Sequence, residues 1–295
     1  MAITSLNMTA VSKDVFPSLV STIGPVLQST VRVSSDPAAK TVDVNIFAEQ
    51  TGREFTQSTG SYTTDAASTT AISVTTTEIY HIVKMNKLSF IQTPVDVVMA
   101  CLPVIGRAIG NKMFAMQNAL VLAATYPNVQ AAVTAANFDA DDVVDFATGL
   151  STAKASKLGR YAVMGPAYYG ALAKDAAIQS AYAFGDDGVI KRNVIPSVHG
   201  FALNEVSDVA ASGDVAALEG WFAAPEAFAV AFRPSFESAE VPSYAQMGTY
   251  TEPTTGITMT TKIWDGMDGN YYIGGFVGFG VSAGQAAALT ILKSA

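Results

Sequence analysis

Twenty consecutive residues, "TGREFTQSTGSYTTDAASTT" (51–70), carry only two large side chains, Phe55 and Tyr62, and ten of the twenty are Ser or Thr. A stretch this polar buries too little apolar surface to offset its own ordering entropy. Its flanks have the opposite character. In "TVDVNIF" (41–47) Val42, Val44 and Ile46 alternate with Asp43 and Asn45, the pattern of a half-buried strand. Downstream, "AISVTTTEIYHIVKMNKLSFI" (71–91) is rich in Ile, Val, Thr and Tyr and is placed to pair back on it. The chain is thereby committed to a long β-hairpin with a polar tip. A tip of this length inside a compact domain is either disordered or functional, and lying across another molecule satisfies both conditions.

A helix signal follows at once. Thr93 stands as N-cap, Pro94 at the first helical position and Asp96 three residues past the cap. The spacing predicts a helix to about Thr125, kinked at Pro103. Beyond Pro103, Arg107, Asn111 and Asn118 share one narrow stripe, while Ile105, Ile109, Met113, Met116 and Leu120 cover much of the rest. Such a helix is packed on several sides. Gly106 and Gly110, four apart, mark close packing or a simple weakening of the helix.

Elsewhere the local signals are shorter. Pro17 and Pro25 interrupt residues 1–35, which read as an arm with short helical turns. "FDADDVVDFATGLSTA" predicts a helix started by Asp139, with carboxylates where the helix dipole favours them. "YAVM" (161–164) is a short buried strand, and Pro166 opens a helix after it. Lys154, Lys157 and Arg160 read as a solvated helix face. The last 75 residues alternate apolar runs with turn signals at Asp265-Gly266 and Asp268-Gly269, as an antiparallel sheet does. "YYIGGFVGFGVSAG" (271–284) superficially matches a dinucleotide-binding turn. Only eleven residues follow Gly284, and none is acidic, so neither a ribose-binding acid nor room for a second strand is expected. Its glycines are read as sites of close backbone or aromatic approach within a strand.

Chemistry-bearing motifs are sparse. The chain has two histidines, His81 in an alternating run and His199 beside Gly200, and neither has a nucleophile nearby in sequence. Neither a nucleophile elbow, an H-E-x-x-H, a C-x-x-C nor a phosphate loop occurs. "DADDVVD" lacks the glycine and spacing of a calcium loop, and Asp265 and Asp268 read as turn formers. Cys101 stands alone within an apolar helix, so no intramolecular disulfide forms. Catalysis, a cofactor and a metal site are therefore not expected.

Composition adds a constraint on surfaces. Hydrophobic residues make up 49% and charged ones only 14%, below the usual quarter, so surface buried against partners is expected. The net charge of −8 is uneven: residues 1–160 hold 11 basic and 12 acidic groups, residues 161–295 hold 6 and 13. No stripe of Lys and Arg offers itself to duplex DNA. The amino-terminal residues lack a secretory pattern, and the longest apolar run, Val97 to Gly106, is too short to span a bilayer. Synthesis in the cytoplasm and no membrane partner are the expectations.

The order of these segments, with "RYAVMGPAYYGALAKDAAI" followed by "GVIKRNVIPSVHGFALNEVSDV" in the mixed region, resembles the major capsid protein of tailed bacteriophages, the Hong Kong 97-like fold. The resemblance covers nearly the whole chain and rests on pattern. It implies an α+β fold with an N-terminal arm (1–35), a strand and extended-loop hairpin (36–92), a spine helix of a peripheral domain (93–128), an axial domain (129–230), and peripheral-domain strands with a C-terminal segment (231–295). The implied function is a structural protein that self-assembles, as hexamers and pentamers, into the icosahedral head shell enclosing a phage genome. Its place is the virion, after synthesis in the host cytoplasm. Arg53, Glu54, Phe55 and Tyr62 are then the expected contacts with an adjacent subunit. Portal and decoration proteins are possible partners, and the short arm implies a separate scaffolding protein or none. An acid-rich second half lining the interior would keep DNA from sticking. Residues for isopeptide crosslinking are not matched. Two alternatives stand beside this reading: an encapsulin-type nanocompartment shell and a soluble α/β enzyme.

Overall fold

The computed structural model describes residues 7–47, 69–87, 94–130, 132–178, 195, 197–207, 209, 218–235, 246–266 and 268–294. Five helices are used below: α1 (Met8–Thr22), α2 (Gly24–Leu27), α3 (Pro94–Asn118), α4 (Ala140–Thr152) and α5 (Pro166–Lys174). The strands are β1 (Thr30–Val33), β2 (Thr41–Phe47), β3 (Thr69–Thr75), β4 (Thr77–Asn86), β5 (Tyr161–Met164) and β6 (Ala202–Glu205). They continue with β7 (Leu218–Ala223), β8 (Phe228–Arg233), β9 (Gln246–Thr251), β10 (Thr258–Gly266), β11 (Asn270–Ala283) and β12 (Leu289–Lys293).

The glycine-rich run of the sequence forms β11, the 14-residue strand about which the larger sheet is built. Along one edge it pairs with β10, which pairs with β9. Farther along that same edge it pairs antiparallel with β8, to which β1 adds parallel, and along the other edge it pairs antiparallel with β4. The smaller sheet runs β12-β7-β5-β6, with β5 and β6 parallel. The chain thus returns at its last strand to pair with β7, so the eleven residues after Gly284, expected to leave no room for a strand, do hold one. One apolar cluster runs through both sheets. Tyr161, Trp221, Phe228 and Tyr126 form a chain of ring contacts 5.3–5.5 Å apart that joins them.

Both long helices lie on one face of the larger sheet. Ser12 of α1 donates to the Gly248 carbonyl (2.8 Å) and lies 2.6 Å from Thr261 Oγ1. A Cβ on Gly275 would meet Ile105 and Ile109 of α3. The glycine pair of α3 is a packing seat: a Cβ on Gly106 would meet the Val15 carbonyl and the Leu19 amide of α1, and one on Gly110 would meet Thr22.

Several expectations change. Residues 8–22 form one helix despite Pro17, because Pro17 and Lys13 lie on its exposed side and water can satisfy the Lys13 carbonyl. Helix α3 begins at Pro94 but ends at Asn118, short of Thr125; Thr93 lies outside the described residues. Asn118 is buried and accepts a 3.3 Å hydrogen bond from the Trp221 indole, leaving the polar stripe to Arg107 and Asn111. Only β3 pairs with β2, whereas β4 joins β11. Asp265 and Gly266 belong to β10, and the turn sits at Asp268 and Gly269, whose φ of 82° requires glycine.

Arg160 is the largest correction to a side chain. It is buried, not on a solvated helix face, and donates to the carbonyls of Ala147, Ala155 and Ser156 and to Ser151 Oγ. The Asp139 cap is as expected: Asp139 and Asp142 form a reciprocal capping box on α4.

Candidate assembly surfaces

Among the described residues no group of three or more His, Cys, Asp or Glu could hold a metal ion. His81 lies half-buried in β4, and His199 occupies a turn at φ 47°. Cys101 is a free, half-buried thiol on α3, and burial pushes its pKa up. Asp265 and Asp268 are ion-pair partners, of Lys87 (2.6 Å) and Lys84 (2.9 Å).

The geometry that stands out is on the second face of the larger sheet, opposite α1 and α3. The base of the β2–β3 hairpin covers one end of it. Val42, Val44, Ile46 and Val74 pack there on Ala229 and Ala231 of β8. Gly280 makes the approach possible, since a Cβ there would strike the Thr75 carbonyl, and Gly284 likewise faces Ile46 Cδ1. Arg233 clamps the root, donating to Thr76 Oγ1 (3.0 Å) and to the carbonyls of Pro37 (2.9 Å) and Pro234 (3.0 Å). Thr75 lies over Gly280 and Ile46 over Gly284, so from root toward tip the hairpin is directed beyond the carboxyl end of β11. The polar segment follows that base in sequence. Arg53, Glu54, Phe55 and Tyr62 all fall outside the described residues.

Toward the other end of β11 the same face is open. Strand register sets out its rows: Met247, Lys262, Gly274 and Ile82 in one, and Thr249, Thr260, Phe276 and Tyr80 in the next. Tyr80 is 61% exposed and stacks on Phe276 at 5.9 Å, while Met247 and Ile82 are 47% and 36% exposed. Lys262 is only 2% exposed, and its Nζ lies 4.8 Å from the Phe276 ring centroid. It lines a cavity of about 420 Å³ with Pro37, Pro234, Ser235, Met247, Thr249 and Thr260. The alternation of "ITMTTKIW" puts Lys262 on the polar face of a strand, but no local signal marks it as buried.

The tip of the β10–β11 hairpin is a polar corner. Lys84 Nζ and Tyr272 Oη both donate to Asp268 Oδ2, at 2.9 and 2.7 Å. These bonds, Lys84 first, hold the Asp268 carboxyl well below the usual carboxylate range, and Asp268 in turn raises Lys84. Trp264 stacks on Tyr272 at 5.7 Å. The corner braces three strands, β4, β10 and β11.

No family model and no curated protein matches the chain. Solved structures do. The capsid of cyanophage P-SCSP1u matches with a TM-score of 0.57 at 13% identity, over 91% of this chain and 86% of that one. The capsid of cyanophage Pam1 matches with a TM-score of 0.55 at 14% identity, over 91% and 89%. A virus-like particle from Pyrococcus furiosus matches with a TM-score of 0.52 at 9% identity, over 95% and 98%. The α+β fold is that of phage capsid subunits, the Hong Kong 97-like fold that the order of segments implies.

Proposed function

We propose that this chain is the major capsid protein of a tailed phage, a shell subunit whose copies assemble into the icosahedral head and reside in the virion. The observation that carries the reading is the fold shared end to end with two cyanophage capsid subunits, over 91% of this chain in both cases. The chain's own surfaces support it. Obligate assemblies of this kind bury interfaces exceeding roughly 2,000 Å², and a charged fraction of 14% with an open, apolar sheet face suits such burial. The hairpin base is directed off its own sheet, so the segment carrying Arg53, Glu54, Phe55 and Tyr62 is assigned to contacts with a neighbouring copy. Many weak contacts then add through multivalency.

In the same scheme the larger sheet with α1 and α3 is the peripheral domain, and the smaller sheet with α4 and α5 the axial domain. A nanocompartment shell with protein cargo is the second reading, favoured by the 98% coverage of the virus-like particle subunit. Light scattering after size exclusion, with electron micrographs of the void-volume peak, tests both. Closed particles of uniform diameter are expected, and nucleic acid or a single copurifying enzyme within them separates the two. A stable monomer, with and without a scaffolding protein, overturns both.

A further inference from the structure

We infer that the Lys262 cavity is a receptor for a carboxylate side chain of a second copy of this chain, an inference that rests on the shell reading above. Lys262 as a residue is 2% exposed, and no carboxylate among the described residues forms an ion pair with it. The face of Phe276 attracts the cation but replaces neither its hydration nor a counter-charge. Glu78, which reaches the cavity-lining Ser235, is already engaged, accepting a 2.9 Å hydrogen bond from Ser235 Oγ. Room remains: about 420 Å³ admits an Asp or Glu side chain, with Thr249 and Thr260 hydroxyls on the wall.

Three features select a copy of this chain as the donor. Exposed Met247 lines the cavity, and exposed Ile82 and Tyr80 lie in the same rows of that sheet face, so an occupant gains by burying apolar surface around the ion pair. A protein segment has such surface and a free anion has none. The chain also carries 25 acidic against 17 basic groups, so identical copies have carboxylates in excess and repel unless specific ones are matched. Lastly, the chain's own hairpin base is directed toward the opposite end of β11.

Carbodiimide crosslinking tests the assignment, because it condenses a contacting amine and carboxylate to an amide and takes up the water released. Particles assembled from equal parts ¹⁴N- and ¹⁵N-labelled protein are treated, digested and mapped by mass spectrometry. The expected product joins the Lys262 peptide to an Asp or Glu peptide, with mixed-isotope species that prove the bond lies between copies. Single-isotope products alone, or an unjoined Lys262 in particles where other lysines react, overturn the inference and leave the shell reading standing. Absence of any species above monomer defeats both. As a second arm, Lys262→Met should leave the thermal midpoint of the free subunit unchanged or raised and increase the critical assembly concentration by on the order of tenfold. An unchanged critical concentration overturns the inference.

Discussion

Arg160 illustrates how one side chain can tie an element to its surroundings without an acidic partner at hydrogen-bonding distance. Its guanidinium gathers the Ala147, Ala155 and Ser156 carbonyls and Ser151 Oγ, so it closes the carboxyl end of α4, where the helix dipole favours a cation. Arg160→Met keeps the apolar stem but strands those carbonyls. A loss of about 2–3 kcal/mol is expected in urea unfolding of the subunit. Asp268 works at the surface, and its effect is set by pH. Its depressed pKa contributes stability that is present above its unfolded value of about 4 and lost as pH falls through the folded value. The raised Lys84 contributes below about 10.5 and fades as pH rises past its folded value. Asp268→Asn should therefore lower the thermal midpoint slightly between about pH 4 and 10.5, with the two proteins converging outside that window. A difference that stays constant down to strongly acid pH would place the effect in something other than the charge.

Between elements, the contact of α1 with α3 decides the meaning of a motif with two readings. Helix propensity alone makes Gly→Ala stabilising by up to about 1 kcal/mol. At Gly106 the added methyl meets the Val15 carbonyl at 2.8 Å and the Leu19 amide at 2.9 Å, both backbone groups that cannot step aside. Gly106→Ala should destabilise by about 1–3 kcal/mol. Gly149→Ala, in α4 with nothing within 4 Å, should stabilise by up to about 1 kcal/mol. Denaturant midpoints of opposite sign are the check, and two shifts of the same sign would remove the packing argument. Elements specified by nearby residues were legible in the sequence: the Asp139 capping box, Pro166 at the start of α5 and the alternation of β2 all need only local information. Strand partners were not. A period of two says which residues share a face and nothing about which strand lies alongside, so 71–91 read as one return strand when only β3 returns and β4 crosses to β11. Arg160 was missed because burial of a charged side chain is decided by carbonyls that the fold brings to it.

At the scale of the whole molecule the same division separates the two assembly surfaces. The hairpin was legible because its strands and its polar segment are contiguous. The open sheet face was not, because Tyr80, Met247, Lys262 and Phe276 come from four strands and meet only through the register of β4, β9, β10 and β11. The hairpin is also the part whose assembly role can be separated from folding. Phe47 is paired with Thr69 at the end of the described ladder, and the base below it is held by its own apolar contacts and by Arg233. Replacing residues 48–68 with Asn-Gly joins Phe47 to Thr69 through a two-residue loop whose twist suits the strands. If the segment serves only contacts between copies, the variant should unfold within about 1 kcal/mol of the wild type, since so polar a segment has little apolar surface to contribute to the subunit. It should remain a subunit or small oligomer by light scattering under conditions where the full chain forms closed particles. Particles of normal diameter from the shortened chain would remove the hairpin from assembly, and a large loss of subunit stability would make it part of the fold.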